Sequence, residues 1–299
     1  LIPTTNGKRV FFIGGKDSRE LARFDSRLKQ FVPYLSGAPA RYISFSRDGQ
    51  WVAYVTVPGY SLWRSRVDGS DRLQLTFPPM GSAGPYWSPD GKRIAFSGRV
   101  PGGASKILLI SSEGGKPERV TAGDSFEVRP EWSSDGNFLL FTGTPSSRDG
   151  KAHQTSIYQL DLTTKQLSMF PGSEGLQDSA PSPDGRYLAA LGVDYKSLML
   201  FNFQAGRWAE LATGTGLFGL AWSPDSKYVY SQDLYQGPEQ PIFRVRISNR
   251  KIERIATSRQ ILRADVVSFS FLGLSPDGSP LVTLLRSSSD IYALDVYFP

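Results

Sequence analysis

The chain has 299 residues, 39% of them hydrophobic and 12% aromatic, enough to bury roughly three-quarters of the surface its unfolded form exposes, which excludes disorder. It contains no cysteine, so disulfides, thiolate zinc sites and thiol nucleophiles are excluded together, and its net charge of +6 permits only weak attraction to polyanions. No run approaches the roughly 20 apolar residues of a membrane helix, so no membrane insertion is expected. The start, LIPTTNGKRV, has neither an initiator Met nor a signal-peptide core and reads as processed or excised from a longer chain.

Seven related turns follow in chain order, beginning at Thr4 (TTNG), Ser46 (SRDG), Ser88 (SPDG), Ser133 (SSDG), Ser182 (SPDG), Ser223 (SPDS) and Ser275 (SPDG). Their spacings of 42, 42, 45, 49, 41 and 52 residues, with strand-like contents between them, predict propeller blades. In each repeat an apolar strand, ending at Phe45, Trp87, Trp132 or Trp222 in the clearest copies, runs into the turn. There Pro presets φ, Asp bonds the local backbone and Gly tolerates positive φ. Ser226 stands where Gly stands elsewhere, which predicts a different turn type at that point.

After the turn comes a short apolar run suited to a sheet covered on both faces: KRVFFI, QWVAYV, KRIAFS, NFLLFT, RYLAAL, KYVYSQ and SPLVTL. A third strand alternates polar and apolar, as in Ile157 to Leu162 and Ile242 to Ile247, and is expected to be half wet. A fourth, seen in RLQLTF, PERVTA, QLSMF, RWAELA and KIERIA, closes the blade. Counting strands gives 26, which favours seven blades over the six-bladed alternative and leaves the first and last sheets incomplete. Residues 1–299 are expected to form one all-β propeller domain of four-stranded antiparallel blades.

The Trp87-Ser88-Pro89-Asp90-Gly91 turn, its buried strand and an Ile157-Tyr158-Gln159-Leu160-Asp161 type of third strand together resemble the TolB-like propeller repeat over essentially the whole chain. GQWVAYV, LWRSRVDGSDRLQLTFPPM, SLMLFNF, PIFRVRISNRKIERI and DIYALDVYFP are similar to propellers that follow a bacterial winged-helix regulator or serine/threonine kinase. The resemblance implies a noncatalytic sensor or interaction module for a protein, peptide or small ligand. It also implies a periplasmic or otherwise extracytoplasmic place, with the cytoplasm as the alternative. Related blades gate a hydrolase in the prolyl oligopeptidase group, so a peptidase gate is a further reading.

Chemistry-bearing motifs are sparse. His153, the single histidine, lies in a polar loop, and no Gly-x-Ser-x-Gly elbow, HExxH pair or phosphate-cradling loop occurs. No catalytic residue, metal site or cofactor is therefore assigned. Asp48, Asp90, Asp135, Asp184, Asp225 and Asp277 repeat in the turns and read as scaffold. Glu127 and Glu131 flank Arg129 ahead of an inner strand, and Asp178 holds a similar place in the next repeat. These are the candidates for a polar site in the channel, where a pair of acids could also serve glycan hydrolysis. An Arg129–Glu131 ion pair is the structural alternative.

With Arg41, Tyr42, Tyr86 and Phe218, these four residues form the expected binding set on the channel or loop face. The basic segment from Arg244 to Arg263 fits the wet side of an outer strand, so nucleic acid is not an expected partner. Insertions at 98–105, 146–155 and 231–240 all follow second strands and should emerge on one face of the ring, where recognition residues concentrate.

Overall fold

Each turn is a closed hydrogen-bonded unit. Ser88 Oγ donates to Asp90 Oδ1 at 2.5 Å and accepts the Arg93 N–H at 2.9 Å, while Asp90 also accepts the Lys92 N–H. The same pairing of a turn serine with the aspartate two residues on recurs at Ser46, Ser133, Ser182, Ser223 and Ser275. The turn aspartates are thus occupied by their own loops. Ser226 keeps the left-handed conformation at φ 56°, contrary to the expected change of turn type. Its hydroxyl accepts the Asp184 N–H of the neighbouring blade at 3.2 Å, a contact glycine could not make.

The structure, a computed structural model, describes residues 2–3, 9–145, 154–261 and 264–295. The Thr4 turn, His153 and most of the 146–155 insertion lie outside the described residues. The described residues form six blades, not seven. Their inner strands are Ala40–Phe45, Gly81–Trp87, Phe126–Trp132, Leu176–Pro181, Leu217–Trp222 and Val266–Leu274. Each lies against the next, and the last lies against the first, closing the ring.

The seventh blade disappears because the two incomplete end sheets are one sheet. Arg9–Asp25 pairs with Pro280–Asp295 in unbroken antiparallel register from Arg9↔Asp295 to Arg23↔Leu281. The sixth blade therefore runs Val266–Leu274, Pro280–Asp295, Arg9–Asp25, Gln30–Pro33, and the short strand Ile2–Pro3 pairs with Arg9–Asp25 as a fifth member of the sheet. Separate partial sheets would each expose a row of unpaired N–H and C=O groups, and this closure pairs both edges. KRVFFI is consequently part of a third strand rather than a second one.

Second strands are buried on both faces, as their composition predicts: Val52, Ala53 and Val55 in one blade and Ile94, Ala95 and Phe96 in the next are inaccessible. Most of the core lies between blades. Ala53, Val55 and Leu62 of the first blade pack with Trp87, Ile94 and Phe96 of the second. Leu21, from the strand that closes the ring, packs with Ala40 and Val52 of the first blade. The tryptophans that end inner strands also bridge blades: Trp132 Nε1 donates to Tyr86 O at 3.0 Å and Trp222 Nε1 to Ala180 O at 2.7 Å.

Because the four strands alternate in direction, the ring has two distinct faces. One carries the Ser-x-Asp turns. The other carries the loops between second and third strands, the links between blades, and the mouth of the channel where inner strands begin. From this loop face a ribbon made of Arg9 to Ser18 and Arg286 to Asp295 extends past the start of the last inner strand, with Phe12 stacked on Tyr292 at 5.3 Å.

Candidate binding site in the central channel

The inner strands of blades 2 to 5 share an irregularity. Their pairing register shifts between Ala83 and Tyr86, Val128 and Glu131, Gln177 and Ala180, and Phe218 and Ala221. Within each shift one residue, three before the end of its strand, takes left-handed φ: Gly84, Arg129, Asp178 and Gly219. A bulge of this kind bends the strand and re-aims a side chain. Glycine adopts it freely, whereas Arg129 (φ 56°) and Asp178 (φ 54°) carry about 1–2 kcal/mol of strain each. The freed amides are satisfied by the preceding blade: Arg129 N–H donates to Ser97 Oγ and Asp178 N–H to Thr142 Oγ1, both at 2.9 Å.

The two strained residues pair with each other. Arg129 Nε lies 3.0 Å from Asp178 Oδ1, with the carboxylate almost buried and about a third of the guanidinium side chain open (31%). The partner of Arg129 is therefore Asp178, not the Glu131 of the structural alternative. The Arg129 guanidinium also lies 5.7 Å from the centre of the Phe218 ring. Burial raises the Asp178 carboxyl, opposed by Arg129.

Arg41, Tyr42, Tyr86, Arg129 and Phe218 line one cavity of about 200 Å³ in the channel. Arg19, Ser270 and Thr283, all from the closing blade, complete its wall and were not singled out from sequence. Arg41 lies toward the loop face, where it donates to Tyr60 Oη at 3.4 Å and sits 5.4 Å from the Tyr42 ring.

Glu131 sits closer to the turn face, in a second depression shared with Tyr86, Trp87, Trp132 and Pro183. Its side chain is half-buried. Burial pushes its carboxyl up to about 8, against the opposing effects of the Tyr86 hydrogen bond and of Arg129. Burial and the nearby Glu131 hold the Tyr86 phenol well above its usual range. The shift favours the neutral form of the Glu131 carboxyl.

Glu127 faces elsewhere. It is buried between blades 2 and 3, where it accepts from Lys106 Nζ at 3.2 Å, Ser125 Oγ at 2.7 Å, the Ile107 amide and the Thr121 hydroxyl. The bulge explains this. In a regular strand residues 127, 129 and 131 would share a face, but the register shift after Val128 breaks the alternation.

The basic segment is likewise committed internally. Arg244 pairs with Glu253 at 2.7 Å and donates to Tyr230 Oη at 3.1 Å, while Arg254 and Arg259 both reach Glu239. Among the described residues no group of three or more His, Cys, Asp or Glu could hold a metal ion, and no helix is long and apolar enough to cross a membrane.

A ring of short four-stranded blades, each carrying the Ser-x-Asp turn, agrees with the comparison to known families: the TolB beta propeller domain (PD40) matches residues 32–232. The chain belongs to the TolB β-propeller family. Among curated proteins it is 26% identical over 210 residues to the uncharacterized peptidase YuxL of Bacillus subtilis, covering 69% of this chain and 29% of that protein. It is 29% identical over 124 residues to the Tol-Pal system protein TolB of Desulfosudis oleivorans, covering 42% and 25%. The chain thus spans less than a third of the length of either curated relative. Among solved structures, a putative TolB from Agrobacterium tumefaciens superposes with a TM-score of 0.66 at 18% identity, covering 92% of this chain and 99% of that one. That likeness concerns the fold alone.

Proposed function

We propose that this TolB-type ring is a noncatalytic sensor or interaction propeller that binds a protein or peptide through its loop face and channel mouth. The observation that carries the reading is the character of the loop face. Tyr60, Val100, Phe126, Tyr195 and Tyr235 are each more than 40% exposed there, on loops or strand starts around a cavity walled by arginine and aromatic side chains. Exposed aromatics on a rigid scaffold are the usual anchors of protein recognition. The channel carboxyls meanwhile are engaged, Asp178 by Arg129 and Glu131 by the Tyr86 hydroxyl.

The similarity to propellers that follow regulators or kinases supports a place in bacterial signalling, and the TolB resemblance supports an extracytoplasmic one. Cell fractionation tests the location. The function is tested by thermal-shift screening of the purified protein against peptides, sugars and divalent ions, since a ligand that binds only the folded state raises Tm. A peptide that raises Tm, with the rise lost in Tyr235→Ser or Arg41→Gln, supports the reading. Hydrolysis of a screened glycan or peptide that Glu131→Gln abolishes overturns it.

One observation favours a second reading, a gate over a hydrolase domain: the YuxL match covers most of this chain but only 29% of that peptidase. A gate would itself bind peptides in passing. It would raise no saturable Tm shift with peptides too large to enter the channel.

A further inference from the structure

We infer that the channel cavity is an anion receptor that takes the carboxylate of an acidic side chain of a bound peptide. The inference rests on the interaction reading above and names the chemistry of its deepest contact.

Three arginines, Arg19, Arg41 and Arg129, are among the residues that line the cavity. Elsewhere in the fold several arginines that reach between strands carry acidic partners: Arg64 has Glu113, Arg244 has Glu253, and Arg286 has Glu20 and Asp265, whereas Arg72 has the Tyr54 hydroxyl and the Trp63 ring. In the cavity only Arg129 does. Arg41 has the neutral Tyr60 hydroxyl and the face of Tyr42, and Arg19 makes no ion pair among the described residues. Arg19 and Arg41 thus bring positive charge to the cavity without an acidic partner, beside the Arg129–Asp178 pair.

Its surroundings strengthen that charge rather than cancel it. Asp178 is spent on Arg129, and Glu131 lies in the separate depression toward the turn face. Low-dielectric walls focus the remaining field on the channel mouth. Thr283 gives a second, independent indication: it is 2% exposed, it lines the cavity, and its Oγ1 has no hydrogen-bond partner. A buried hydroxyl without a partner is costly, and a ligand oxygen would satisfy it. Guanidinium forks with a hydroxyl donor beside them match the lone pairs of a carboxylate.

Size and the exposed aromatics around the mouth together favour a peptide as the source of the anion. At about 200 Å³ the cavity is smaller than the roughly 300–1,000 Å³ of sites that enclose whole small molecules. It admits one functional group while the rest of the ligand stays outside, over the exposed aromatics of the loop face. A peptide presents a carboxylate in that way.

The test uses acetyl-Gly-Gly-Glu-Gly-Gly-amide, its Gln counterpart, and inorganic phosphate and glutarate as competitors, with binding read by isothermal titration calorimetry. The Glu peptide is expected to bind, the Gln peptide to bind about tenfold more weakly or worse, and Arg41→Gln or Arg19→Gln to cost a similar factor. Raising salt from about 50 mM to about 300 mM should weaken binding further. Arg207→Gln, at the exposed start of an outer strand, is the control expected to match the parent, and equal Tm values establish that the variants fold.

Equal binding of the Glu and Gln peptides, or parental affinity in both arginine variants, overturns the inference. So does a Tm rise with phosphate or glutarate while the Glu peptide fails to bind, because the cavity then takes a free anion. A peptide from the wider screen that raises Tm equally in the parent and Arg41→Gln rejects the anion receptor and leaves the interaction reading standing.

Discussion

Arg129 and Asp178 occupy the same offset in adjacent inner strands, both in left-handed backbone conformation, and their side chains meet at 3.0 Å. Blades 2 and 5 fill that offset with Gly84 and Gly219, so the ring has tolerated backbone strain at the two positions where it places a charged pair in the channel.

Replacing Arg129 by Gln leaves a nearly buried carboxylate without its partner and should cost about 2 kcal/mol, less than a fully buried pair because part of Arg129 reaches solvent. Arg129→Gln with Asp178→Asn should recover most of that loss. Arg129→Gly with Asp178→Gly should be more stable than the Gln/Asn pair by about 1 kcal/mol, since glycine relieves the left-handed strain. Urea denaturation of the four proteins checks the order.

Closure of the ring is tested at Leu21. It is fully buried between the closing strand and the first blade, so Leu21→Ala should cost about 3 kcal/mol. Leu294→Ala, on the exposed ribbon, should fall within about 0.5 kcal/mol of the parent. Similar costs at both sites would contradict the sixth blade as described.

The serine of each turn is predicted to matter as much as its aspartate. Ser88→Ala removes the donor to Asp90 and the acceptor of the Arg93 amide, so a loss of about 1–2 kcal/mol in thermal or urea unfolding is expected.

Glu131 gives the pH dependence its sign. Its folded carboxyl is raised to about 8, so between the unfolded value of 4.5 and about 8 the folded state holds more protons than the unfolded one. Stability from this group falls as pH rises through that window, and Asp178, also raised, acts in the same direction. Tm measured from pH 5 to pH 9 should therefore fall in the parent relative to Glu131→Gln. A constant difference between the two would contradict the assignment.

The blades were legible in the sequence because each repeat carries its own turn, with Ser and Asp bonded locally and an apolar run beside them. Their number was not. The register from Arg9↔Asp295 to Arg23↔Leu281 joins the two ends of the chain, and no local pattern encodes it. For the same reason Arg19, which reaches the cavity from the closing strand, was not among the expected site residues. Arg41, Tyr42, Tyr86, Arg129 and Phe218 converge as their inner-strand positions imply. Glu127 does not, because the bulge after Val128 turns it between blades. A signal for that bulge stood in the sequence: Gly84 and Gly219 share the offset of Arg129 and Asp178 before the turn.

The central claim, binding without turnover, is tested most directly by recovering the ligand. A peptide that raises Tm saturably is incubated overnight with stoichiometric protein and examined by mass spectrometry. Intact peptide, with the Tm rise lost in Arg41→Gln, is the predicted result; cleaved peptide, with cleavage lost in Glu131→Gln, would contradict the account.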